Sequence, residues 1–101
     1  MEVIFEYHSV AQSDRLEKIA RTKLTQLKEK FEAVHRADVF FKEENTTSDR
    51  TGMICNIRLS LPGPRLFAEA SHDNFESSIS EAIRDLQRQL KKRKGKSIDL
   101  R

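Results

Sequence analysis

From the first helix onward the apolar residues of this chain change period twice, and that change limits the folds open to it. Leu16, Ile19, Ala20, Leu24, Leu27 and Phe31 recur at spacings of three and four, which makes one apolar stripe along a helix. From Ala37 the period drops to two. Ala37, Val39 and Phe41 alternate with Asp38 and Lys42, and Met53, Cys55, Ile57, Leu59 and Leu61 alternate with Asn56, Arg58 and Ser60. Phe75, Ile79, Ala82, Ile83, Leu86 and Leu90 then return to helical spacing. Neither pattern can be read as the other, so the chain needs both a sheet and helices to cover it.

The remaining elements follow from local signals. Glu2 to Tyr7 reads as an opening strand, with Val3, Phe5 and Tyr7 on one face. Ser13 or Asp14 caps the first helix, Asp14 and Glu17 having roughly the spacing of a capping box. Asn45 to Arg50 has turn composition, and Pro62-Gly63-Pro64 is a strong turn signal before a fourth strand, Leu66 to Ala70. Asp73 caps the second helix, with Glu76 three residues on, and Gly95 is expected to stop it. The predicted architecture is α+β: one β-α-β-β-β-α domain over residues 1–95, a four-stranded sheet with both helices on one face. A short basic tail, 96–101, is expected to be frayed.

Charge is distributed unevenly. The 101 residues carry a net +3, with 37% hydrophobic and 35% charged residues, which suits a small, heavily solvated domain. Residues 84–101 hold eight basic and two acidic groups, a net +6, while the other 83 residues hold 11 and 14, a net −3. Positive charge gathered at one end attracts polyanions, of which nucleic acid is the commonest in the cytoplasm.

Arg84, Arg88 and Lys91 recur at four and three, opposite much of the apolar stripe, and run on into Lys92, Arg93, Lys94 and Lys96. Such a ladder can span several phosphates of an RNA backbone, with counterion release and a steep salt dependence. The first helix adds Arg15, Lys18, Arg21, Lys23, Lys28 and Lys30 on its outward faces, Lys23 and Lys30 sharing one side. Carboxylates there could pair with these cations, but they are missing from the end of the second helix. Tyr7, Phe40 and Phe67 are the candidate stacking residues on a sheet, and core or edge packing is expected for each. Contact with backbone and shape is therefore favoured over the reading of bases.

Little points to catalysis. His8, His35 and His72 have no metal-ligand spacing, Cys55 falls on a predicted buried face, and three glycines form no phosphate loop. No catalytic residue, metal, cofactor or small-molecule substrate is expected. No apolar run is long enough to span a membrane, and the opening strand does not read as a secretory signal. A lone cysteine fits a reducing compartment, so the expected location is cytoplasmic.

Three stretches resemble a known family: Lys23-Leu24-Thr25-Gln26-Leu27-Lys28-Glu29-Lys30-Phe31, then Phe67-Ala68-Glu69-Ala70, then Leu86-Gln87-Arg88-Gln89-Leu90-Lys91-Lys92-Arg93-Lys94-Gly95-Lys96. In this order the chain resembles the ribosome hibernation-promoting factors, the group that includes ribosome-associated inhibitor A and was once described as sigma-54 modulation proteins. The resemblance implies a fold similar to a double-stranded-RNA-binding domain. It also implies binding to small-subunit ribosomal RNA in the path of mRNA and tRNA, keeping ribosomes inactive in stress or stationary phase. On matching positions, Lys23, Arg88, Gln89, Lys92 and Lys94 would contact that RNA. Arg84, Lys91, Arg93 and Lys96 are added from charge and helical spacing alone, and Lys28 and Lys30 complete the candidate set.

The sequence departs from the family where Asn74-Phe75-Glu76-Ser77-Ser78-Ile79-Ser80 stands for the usual Met-Tyr-Ala-Ala-Ile-Asp run, so Ser80 replaces a carboxylate. By length the chain resembles the short forms, which implies a separate ribosome-pairing factor as a further partner. The competing readings are a general double-stranded-RNA binder and a protein-binding transcription regulator.

Overall fold

The computed structural model describes the backbone of residues 1–99 and the side chains up to residue 94. Its elements are β1 (Glu2–His8), α1 (Asp14–Lys30), β2 (Arg36–Glu43), β3 (Met53–Ser60), β4 (Leu66–His72) and α2 (Phe75–Asp99). The strands form one sheet in the order β1-β2-β3-β4. β1 and β2 are parallel, joined by α1 as a crossover, and β2-β3-β4 is an antiparallel meander. This is the predicted α+β plan in the predicted order.

Both helices bury their stripes against one face of the sheet. Leu16, Ala20, Leu24 and Leu27 of α1 meet Ile79, Ala82, Ile83, Leu86 and Leu90 of α2 over Ala37, Val39, Phe41, Cys55, Ile57, Leu59, Ala68 and Ala70. Val3, Phe5 and Tyr7 close the β1 side, where Phe5 and Tyr7 both stack on Phe41. Full burial of each large aliphatic side chain contributes about 1.5–3 kcal/mol, so this layer supplies most of the driving force. Ser78 is the polar residue inside it; its hydroxyl donates to the main-chain oxygens of Met53 and Asn74 and so ties α2 to β3.

The caps differ in detail from the expectation. Ser13 caps α1, its hydroxyl accepting from the Leu16 N–H at 3.2 Å. Glu17 does not complete a capping box; it accepts a 2.7 Å hydrogen bond from the Tyr7 hydroxyl. On α2 the cap is Asn74 rather than Asp73. The Asn74 Oδ1 accepts from the Ser77 N–H at 2.8 Å, and Asp73 instead accepts from the Asn74 amide. Gly95 lies inside α2, which runs on to Asp99. A helical glycine costs about 1 kcal/mol relative to Ala, and Lys94 and Lys96, good helix formers, flank it.

Two geometric facts place the surface that matters. α1 and α2 run parallel, because each returns antiparallel to a strand of the same direction. Arg15 at the start of α1 accordingly meets Glu76 at the start of α2, at 3.3 Å. In addition, a 25-residue helix is about 37 Å long, whereas strands of 7 or 8 residues span about 25 Å. The last turns of α2 therefore project past the end of the sheet.

Candidate nucleic-acid interface

The C-terminal end of α1 and the stretch of α2 around Leu90 to Lys94 lie together beside the β3-β4 turn. Lys30 of α1 with Phe31 just beyond it, Leu61 and Pro62 of the turn, and Leu90, Arg93 and Lys94 of α2 line one open hollow of about 500 Å³. Lys30, in the last turn of α1, lies at the negative end of that helix's macrodipole, whereas the α2 cations stand more than a turn before Asp99 and gain little from theirs.

The predicted basic residues separate into two kinds. Arg84, Lys91, Lys92 and Lys94 are exposed, as is Lys30 on α1, and Lys23 is half-buried at the border between the helices. Among the described residues, no ion pair engages any of these six. Arg88 is also exposed and leans on Asp85 at 3.4 Å, a weak surface contact one turn back on the same helix. Together these seven form a cationic ridge on the outward sides of two parallel helices.

The others are committed to the fold. Lys28 donates to the main-chain oxygens of Glu32 and Val34, the latter at 2.7 Å, and so fastens the loop that leaves α1. Arg93 donates to the Pro64 carbonyl at 2.6 Å and holds the β3-β4 turn against α2. The Gln89 amide donates to the Phe67 carbonyl at 2.9 Å and to Asp85 at 3.3 Å. Their expected RNA contacts thus compete with intramolecular hydrogen bonds, which for Gln89 and Arg93 reach partners 22 and 29 residues away. The side chain of Lys96 lies outside the described residues.

The remaining candidates take quieter places. Tyr7 packs in the core edge, Phe40 is half-buried with His8 stacked on it, and His72 lies 3.2 Å from Glu81. Phe67 departs from the expected packing: it is 50% exposed on the far face of the sheet. The burial of Cys55 pushes its thiol up to about 12, which leaves it protonated and unreactive. Among the described residues no three His, Cys, Asp or Glu side chains are grouped to hold a metal, and no helix is long and apolar enough to cross a membrane.

Arg58 and Arg65, outside the set expected from charge and helical spacing, are exposed on the sheet face away from the helices. The outward position of Arg58 in the β3 alternation was the available signal. Arg21 lies over the Phe5 ring, 5.0 Å from its centroid, and serves the β1 side of α1 rather than the ridge.

Comparison with known proteins bears on this geometry. The family model described as "Sigma 54 modulation protein / S30EA ribosomal protein" matches residues 3–98. A ribosome hibernation promoting factor of Acinetobacter guillouiae is 25% identical over 104 residues, a match covering 98% of this chain and 92% of that protein. A solved ribosomal subunit interface protein from Coxiella burnetii superposes with a TM-score of 0.79 at 20% identity, covering 94% of this chain and 99% of that one. The N-terminal domain of Thermus thermophilus Protein Y gives 0.72 at 18% identity, over 91% and 98% of the two chains. The two structures establish a shared fold, and the family match extends across both helices and the ridge they carry.

Proposed function

Because the chain belongs to the sigma 54 modulation protein / S30EA ribosomal protein family, we propose that it acts on the ribosome by occupancy. The cationic ridge lies on small-subunit ribosomal RNA in the path of mRNA and tRNA, and holds the ribosome idle. As a family member it is a ribosome-associated modulation factor; the subunit, the RNA contact and the stress setting are our reading.

One observation carries it. Lys23, Lys30, Arg84, Arg88, Lys91, Lys92 and Lys94 stand on the outward sides of two parallel helices, and Asp85 is the one carboxylate engaging any of them among the described residues. Exposed cations with no internal partner gain most from phosphates, because binding releases counterions without breaking ion pairs in the protein. Among the described residues the aromatic side chain beside the ridge is Phe31, half-buried between Lys30 and Lys94, which favours contact with backbone and shape over base stacking. The mechanism needs no bond making. A rigid domain placed where substrates pass excludes them. Action of this kind belongs to a cytoplasmic protein under stress or in stationary phase, and a separate factor would supply ribosome pairing.

The test is the triple substitution Arg88→Ala, Lys92→Ala, Lys94→Ala. Sedimentation with ribosomes should fall by at least about tenfold in affinity while thermal stability stays nearly unchanged, since all three are surface positions. Unchanged sedimentation would show that the ridge is not the binding face. Equal loss on an arbitrary RNA duplex would favour a general double-stranded-RNA binder.

A further inference from the structure

The sheet face opposite the helices carries a different chemistry. Its side chains form cross-strand rows set by the register: Ile4, Asp38, Arg58 and Phe67 make one row, with Glu2 and Arg36 at one end of the adjoining row. Antiparallel register extended one residue past β4 sets Arg65 opposite Ser60, at the other end of that adjoining row. Phe67 is 50% exposed, the most exposed large apolar residue among those described. Arg58 and Arg65 flank it, both exposed and, among the described residues, paired with no carboxylate.

We infer that this face binds a second copy of the same chain, sheet against sheet. A copy turned about an axis parallel to the strands, between β2 and β3, lays each row on its own row in reverse order. Ile4 of one copy then meets Phe67 of the other, Asp38 meets Arg58, and Glu2 meets Arg65. Each pairing occurs twice by symmetry, as a two-fold interface requires. The strands of the two sheets come out roughly aligned, the common geometry for stacked sheets.

The mixed charge decides the class of partner. Glu2, Glu6, Asp38 and Glu69 share the face with Arg36, Lys42, Arg58 and Arg65. Arg36 already holds Asp38 at 2.9 Å and reaches Glu2 at 3.7 Å, so each of these two carboxylates would be shared between the two copies. Four carboxylates balanced by four cations give a phosphate backbone no net attraction but complement a surface of the same composition. The face is about 14 Å across and about 25 Å long, so the area buried lies below that of a stable dimer. Glu6 meets Glu69 in the next row and opposes association. The complex is therefore weak, and it leaves the cationic ridge exposed on both outer sides.

Sedimentation velocity of the full chain from about 10 µM to about 1 mM, the range for a small and wet interface, tests this. The expected result is a concentration-dependent shift from monomer towards dimer mass. Phe67→Glu and Arg58→Asp should each abolish it, with melting curves close to that of the wild type because both side chains are exposed. Glu2→Arg and Arg65→Glu should each raise the dissociation constant by about tenfold or more, and the double charge swap should restore association. A monomer throughout the range, or a dimer that survives Phe67→Glu and Arg58→Asp, overturns the proposal. So does a monomeric chain in which Phe67→Glu weakens binding of oligouridylate, which would assign the face to single-stranded RNA.

Discussion

Gln89 on α2 donates a 2.9 Å hydrogen bond to the main-chain carbonyl of Phe67 on β4. One polar side chain of the basic helix is thereby spent on the sheet, one residue away from Arg88, which points into solvent. The same division runs along both helices. Lys28, Gln89 and Arg93 satisfy backbone oxygens, whereas Lys23, Lys30, Arg84, Arg88, Lys91, Lys92 and Lys94 form the outward ridge.

Gln89→Ala should therefore act on stability before it acts on ribosome binding. Losing one such bond costs about 0.5–1.5 kcal/mol. Urea unfolding should show that loss, while affinity for ribosomes at concentrations where the domain is folded should change less than for Arg88→Ala. A larger binding defect than that of Arg88→Ala would place the amide on the RNA instead.

Lys28 and Lys91 are both helix-surface lysines and should behave in opposite ways. Lys91→Ala should lower the slope of log affinity against log salt by about 1, the signature of one lost phosphate contact, with stability unchanged. Lys28→Ala should leave the slope nearly as it was and lower stability by about 1 kcal/mol or more, because it frees the Glu32 and Val34 carbonyls. Salt-titrated binding and chemical denaturation of the two variants distinguish these outcomes.

Cys55 predicts a pH dependence of stability. Burial pushes its thiol from 9.0 up to about 12, so the folded state holds this proton more tightly than the unfolded state. The stability it contributes is fully present below about pH 9 and is lost as pH rises towards 12, at up to about 1.4 kcal/mol per pH unit. Wild type should lose stability above pH 9 more steeply than Cys55→Ala, whatever the cavity costs at neutral pH. A thiol reagent at neutral pH should label Cys55 only at the rate of unfolding.

Gly52 has φ +116°, and a Cβ built on it would sit 2.6 Å from the Glu44 carbonyl oxygen. The adjacent backbone is also tied down, with Glu44 N–H donating to Gly52 at 2.9 Å and Gly52 N–H donating to Ser71 at 2.8 Å. Gly52→Ala should cost about 1–3 kcal/mol and should loosen the β2-β3 connection. A melting temperature equal to that of the wild type would contradict this.

The fold was legible because each element announces itself by period, and the periods cannot be exchanged. Leu16, Ala20, Leu24 and Leu27, and likewise Ile79, Ala82, Leu86 and Leu90, lie in the core as their spacing required. The second cap was misplaced by one residue, since Asp73 and Asn74 are both good caps and only the backbone path decides between them. The ridge was legible as a charge ladder. What the sequence could not show was which of its members fold the chain back on itself. Gln89 with Phe67 and Arg93 with Pro64 are pairs 22 and 29 residues apart, and no local rule joins them. Phe67 was misjudged because an apolar residue on a strand reads as core whichever face it takes.

In the proposed function the ridge occupies a specific place on the small ribosomal subunit. Co-sedimentation of the purified chain with separated small and large subunits, across a salt series and with transfer RNA as competitor, tests it most directly. The expected result is binding to the small subunit alone, saturating near one copy, weakened by salt and displaced by transfer RNA. Equal binding to both subunits, indifferent to transfer RNA, would contradict it and leave a basic helix with a general attraction for RNA.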